Sequence, residues 1–155
     1  MRTGSPEQDA WHEAGHAIVA HALGGRVVEL TLEADDERFE GRATVEWPAA
    51  PRRDAAARSG RVALAGPIAE MEQYGDEAPH EPAQLRAWEA DWDEVERCAE
   101  VVCPDPDERS AWIERWFREV AELVRDPDVN ERIARVADAL DAHGTLDETL
   151  FEDCL

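Results

Sequence analysis

Residues 12–16 read His-Glu-Ala-Gly-His, inside the run Ala10-Trp11-His12-Glu13-Ala14-Gly15-His16-Ala17-Ile18-Val19, whose apolar positions recur at helical spacing. A helix turns about 100° per residue, so His16 lies about 40° from His12, and Val19 and Leu23 flank the pair within about 20°. Both imidazoles therefore border the buried face of one helix and project from neighbouring turns. A fold that accepts this segment must pack a histidine-bearing helix against its core and give both rings a common partner.

The flanking punctuation agrees. Ser5-Pro6-Glu7-Gln8 combines an N-cap, a proline at the first helical position and a capping-box Gln, predicting a helix from about Pro6 to Leu23 that ends at Gly24-Gly25. Arg26 to Glu33 and Gly41 to Trp47 alternate apolar with polar residues, predicting an antiparallel pair with one wet face. Asp54 to Tyr74 is helical, with a bend or a split expected at Gly60 and Gly66-Pro67 and an end at Gly75. Asp76 to Pro82 reads as a loop, and a further helix is expected over about Ala83 to Val102.

Asp105-Pro106 and Asp126-Pro127 each pair an N-cap with proline and open two more helices. Their stripes, Ile113, Trp116, Phe117, Val120 and Val124, then Val129, Ile133, Val136 and Leu140, have the spacing of core-facing sides. Thr145-Leu146-Asp147-Glu148 reads as a capping box opening a last short helix. The expected fold class is mainly α within α+β, a single domain over residues 1–155 with a small antiparallel β hairpin after the first helix.

Charge narrows the partners. The formal net charge is −21, and every basic residue is an arginine, so nucleic-acid phosphates and anionic membrane surfaces are repelled. No run has the length of a membrane span, and the first residues lack the pattern of a signal peptide, so the expected location is cytoplasmic. Cys98, Cys103 and Cys154 are an odd set without Cys-x-x-Cys spacing, expected to be reduced and structural.

The His-Glu-x-x-His pattern on a helix is a zinc-hydrolase signature: two neutral imidazoles hold the ion, and the glutamate stands beside the open coordination position as a general base. The competing reading is a pair of satisfied core histidines that happen to flank a glutamate. His21 falls about 180° from His12 and points away. Val19 and Ala22 stand where a metzincin carries glycine and histidine, which excludes that family. His80 and His143 have no partner at ligand spacing and are expected in solvent.

A catalytic zinc usually has three protein ligands, so one more must arrive from elsewhere in the chain. Asp91 shares a helix face with Trp88, Val95, Cys98 and Val102, and an acid on a buried face needs a partner. Asp93 lies instead with Glu96, Arg97 and Glu100, the pattern of a solvated charge run. Asp91 is therefore the expected third ligand.

Three blocks in this order resemble the peptidase domain of the FtsH family of zinc proteases. The first is Ala10 to Val19; the second is Val62-Ala63-Leu64-Ala65-Gly66-Pro67-Ile68-Ala69-Glu70-Met71-Glu72-Gln73-Tyr74-Gly75; the third is Ala90-Asp91-Trp92-Asp93-Glu94-Val95. The tail from Val136-Ala137-Asp138-Ala139-Leu140 to Thr145-Leu146-Asp147 is similar as well. The resemblance implies a helical zincin-like peptidase domain with a Zn2+ cofactor, His12, His16 and Asp91 as ligands, and Glu13 as general base. For Glu70 it leaves two readings, an acid orienting a ligand histidine or a carboxylate on a helix surface.

That family joins its peptidase to a membrane anchor and an ATP-driven module. Here no Gly-x-x-x-x-Gly-Lys-Ser/Thr loop occurs, so a stand-alone domain that is ATP-independent by itself is expected. The loops around residues 34 to 40 and 48 to 54 look short beside the family's. The expected partner is a protein or peptide substrate, and both a homo-oligomer and a separate ATPase partner stay open. The alternative is a catalytically inactive, zinc-stabilised protein-binding module that uses Trp88, Trp92, Trp112 or Trp116 as a contact surface, residues otherwise expected in the core.

Overall fold

The computed structural model of the chain describes residues 5–33 and 41–155, so the segment 34–40 between the two strands lies outside the described residues. Helix α1 spans Pro6–Ala22, opened by the capping box: Gln8 N–H donates to Ser5 Oγ at 3.2 Å, and Ser5 N–H donates to Gln8 Oε1 at 3.1 Å. From Ala10 to Ala20 every residue of α1 is buried, which makes it the axis of the molecule. Its end turns on Gly24, whose φ of 90° is open to glycine and strained for other residues.

Strands β1 (Arg26–Thr31) and β2 (Arg42–Glu46) pair antiparallel, with a bulge between Val27 and Glu29. Helix α2 (Arg52–Tyr74) follows as one continuous helix. It is not split at Gly60 or at Gly66-Pro67, and its small residues serve contact with α1 instead: a Cβ on Gly15 would stand 2.7 Å from Ala69 Cβ and 3.0 Å from Ala65 O. Packing at that separation repays the helix propensity that glycine and proline forfeit.

The helix expected over Ala83 to Val102 forms in two pieces. A 3-10 turn covers Pro82–Ala87, the chain leaves helical angles at Trp88 (φ −91°, ψ 76°), and α3 runs over Glu89–Val102. Helices α4 (Pro106–Arg125) and α5 (Pro127–His143) start at Asp105 and Asp126 as capping acids, and the apolar stripes named above are buried throughout.

The end of the chain differs from expectation. Thr145–Asp147 is a third strand, β3, and the sheet order is β2-β1-β3. Leu146 is fully buried beside Leu30, and the hydroxyls of Thr31 and Thr145 bond at 2.7 Å. The cap of the last helix, α6 (Glu148–Glu152), is Asp147 rather than Thr145, accepting from Leu150 N–H. The molecule is thus mainly helical with a small three-stranded antiparallel sheet, one strand more than the expected hairpin. Among the described residues, no helix is long and apolar enough to cross a membrane.

Candidate metal centre

Three helices deliver one side chain cluster. Helix α1 presents His12 and His16 toward α2, and the first turn of α3 brings in Asp91. His12 Nε2 lies 2.8 Å from Asp91 Oδ2, His16 Nε2 lies 3.2 Å from Asp91 Oδ1, and the two Nε2 atoms are 3.2 Å apart. Tetrahedral ligand atoms about 2.05 Å from a zinc ion are separated by about 3.3 Å, so the spacing of the two Nε2 atoms from each other and from the Asp91 carboxylate oxygens is of the size such an ion requires.

The far sides of both rings decide which nitrogen carries the proton. His16 Nδ1 lies 2.6 Å from the carbonyl oxygen of Val62, which can only accept. His12 Nδ1 lies 3.0 Å from Glu70 Oε1. Each imidazole donates through Nδ1, so in its neutral form the Nε2 lone pair faces the cluster. Two lone pairs and a carboxylate turned on one point have no hydrogen to share, which is the chemistry of a cation-binding set.

Charge argues the same way. Burial alone would lower the His12 pKa, yet Asp91, Glu70 and Glu13 outweigh it and raise it to about 10; His16 is raised by the same contest of burial with Asp91. Burial would raise Asp91, but His16 and His12 prevail and hold its carboxyl well below the usual range. The cluster demands positive charge, which protons supply when no metal does.

Glu13 is 5% exposed, and one ligand atom from each of His12, Glu13 and His16 lies within 4.8 Å of the others. Burial raises its pKa above the ordinary carboxylate value, against the pull of His16 and His12. Gly41 closes over it: a Cβ there would meet Glu13 Cγ at 2.6 Å and Thr31 O at 2.7 Å, so only glycine lets the strand approach the acid this closely. Glu13, His16 and Asp91 open into a cleft of about 540 Å³, walled by Ala43, Val45 and Trp47 on the β2 side and by Val62 and Ala63 of α2. Asp93, Glu94 and Arg97 of α3 form the polar rim.

His12, Glu13, His16 and Asp91 are thus brought together as the sequence anticipates. Glu70 is 4% exposed against His12, which removes the helix-surface reading. His21, His80, His143 and Asp93 are exposed, and Trp116 is fully buried. Trp92 and Trp112 are half-buried and pack against the core, and Cys98, Cys103 and Cys154 are free thiols. Residue-by-residue reading missed the Val62 carbonyl, which carries no side-chain signal, and Gly41, whose role depends on a fold not yet known.

Gly66, expected to bend or split its helix and part of the second block of the resemblance, lies against both histidines. A Cβ there would lie 2.4 Å from His16 Nε2 and 2.7 Å from His12 Nε2, inside the space the donors face. Gly66→Ala is therefore expected to weaken zinc binding by about tenfold or more, the scale of losses around metal ligands. Alanine also favours the helix by about 1 kcal/mol, so intact helicity by circular dichroism with lost binding in chelator competition isolates the cradle from folding. Unchanged affinity would show that the ion does not sit there.

No family model matches this chain, and neither does any curated protein.

Proposed function

We propose that the chain is a zinc-dependent peptidase of the FtsH-like kind, with His12, His16 and Asp91 as ligands and Glu13 as general base. The observation that carries this reading is convergence: two imidazole Nε2 atoms 3.2 Å apart, each 2.8 to 3.2 Å from one oxygen of the Asp91 carboxylate, with a buried acid beside them, at the floor of a cleft that follows a strand edge. When bound there, zinc lends Lewis acidity that brings a water's pKa toward neutrality and polarises a carbonyl.

The chain's own residues supply the rest. Among the described residues strand β2 is an edge of the sheet, so its outer main-chain groups are placed to pair with an extended peptide, favouring unfolded or flexible substrates. Trp47 is fixed at the cleft wall by donation from its Nε1–H to Ser59 Oγ at 3.0 Å. Glu13, its pKa raised by burial, takes a proton from the attacking water and returns it to the leaving amine. Glu70 and the Val62 carbonyl keep the imidazoles oriented while charge builds nearby. Free thiols suit a reducing, cytoplasmic setting, and folded clients would call for a separate ATPase.

Zinc analysis combined with proteolysis of an unfolded, casein-like substrate tests the reading. The expected result is stoichiometric zinc, cleavage abolished by a chelator and restored by added zinc. Zinc-loaded protein that leaves the substrate intact would transfer the reading to a zinc-stabilised binding module; absence of zinc binding would end both.

A further inference from the structure

Trp88 lies between α3, which it opens, and the side chains of His12 on α1 and Glu70 on α2. It is the break between the 3-10 turn and α3, three residues ahead of Asp91, and its carbonyl accepts the α-helical bond from Trp92 N–H at 2.8 Å that brackets Asp91. Its indole lies nearly parallel to the His12 imidazole, with centroids 6.5 Å apart and planes 25° from each other. Its Nε1–H points to Glu70 Oε1 at 3.4 Å, the same oxygen that accepts from His12 Nδ1.

One side chain therefore touches both the ring that faces the cluster and the carboxylate that orients that ring. A tryptophan present only to fill the core has no need to leave the helix, or to direct its N–H at a buried acid. We propose that Trp88 is a positioning residue of the metal centre: by holding the Glu70 carboxylate on His12 Nδ1 and covering the ring, it fixes the His12 Nε2 lone pair toward His16 and Asp91. The inference rests on the metal-site reading above. It also explains the asymmetry of the two histidines, since His16 is oriented by a rigid main-chain carbonyl, whereas His12 depends on a carboxylate with rotamers of its own.

The test compares full-length wild type, Trp88→Phe, Glu70→Gln and the double variant. Zinc affinity is read by competition with a chromophoric chelator, and the histidine Nδ1–H resonances by nitrogen-15 NMR of metal-free and zinc-loaded protein. Trp88→Phe keeps a ring and removes the donor. It is expected to weaken zinc binding about tenfold and to shift or broaden the His12 Nδ1–H signal while the His16 signal stays in place. Because Trp88 acts through Glu70, the double variant should bind zinc no more weakly than Glu70→Gln alone. An unmoved His12 resonance in Trp88→Phe, or losses that simply add in the double variant, overturns the proposal. If Trp88→Phe does not fold, Trp88→Leu, which also lacks the donor, serves in its place with the same outcomes. If wild type binds no zinc, the peptidase reading falls, and the His12 resonance of the metal-free protein still decides the role of Trp88.

Discussion

Zinc-loaded protein carrying Glu13→Gln is expected to keep its metal and to cleave an unfolded substrate about 10² to 10⁴-fold more slowly, the range for a lost general acid–base group. Glutamine has nearly the same shape, and the crowding of Glu13 by the main chain at Gly41 leaves the replacement little room to move away. A buried amide is also cheaper to desolvate than a carboxylate, so the fold should not weaken. What disappears is the ability to accept a proton. The effect should fall on kcat with KM little changed, because the strand edge and cleft walls are untouched. In the wild type, activity should drop at acid pH as Glu13 takes up a proton, and this acid limb should be missing from the variant's residual rate. A Glu13→Gln protein that cleaves at the wild-type rate would remove Glu13 from the mechanism.

Asp91→Ala attacks the centre itself. A zinc site worth roughly 10 to 16 kcal/mol over four ligands loses roughly 3 to 4 kcal/mol with one, so affinity should fall about 10² to 10³-fold. The metal-free protein should also lose about 3 kcal/mol, because both imidazoles lose their common counter-charge within the protein. The pH window follows from the signs. Asp91 has a lowered pKa in the folded protein, so its contribution is present above its unfolded value of about 3.9 and is lost as pH falls through the folded one. His12 has a raised pKa, so its contribution is full below its unfolded value of about 6.5 and is lost as pH rises through about 10. The gap between wild type and variant, measured by denaturant unfolding without metal, should be widest between about pH 4 and 6.5 and should close toward pH 10. Wild-type zinc affinity in Asp91→Ala would exclude Asp91 as a ligand.

The parts of this molecule that could be read from the sequence are those in which nearby residues settle the outcome. Ser5, Pro6 and Gln8 carry a complete helix start within four positions, and the spacing of His12 and His16 states their shared direction without reference to the rest of the fold. Asp91 was accessible because a charged residue in an otherwise apolar face is an anomaly that calls for a partner. Trp88 shows the opposite case. Nothing local marks it as a helix break, and it leaves the helix among contacts made by residues on α1 and α2. Strand β3 is three residues long, too short for alternation to register, and it exists because Leu146 fills a gap beside Leu30. Gly66 and Pro67 mislead in isolation, since their penalty in a lone helix is offset by close packing that only the neighbouring helix makes available.

The strand that completes the sheet is built from residues 145–147, after α5 in chain order, and it lies directly against β1. β1 is therefore the central strand, with β2 on one side and this late strand, which pairs with β1 alone, on the other. In chain order, both histidines, Asp91 and the β1–β2 hairpin all precede it. Because β1 and β2 pair with each other directly, the late strand closes the far side of a sheet whose cleft-side hairpin does not depend on it.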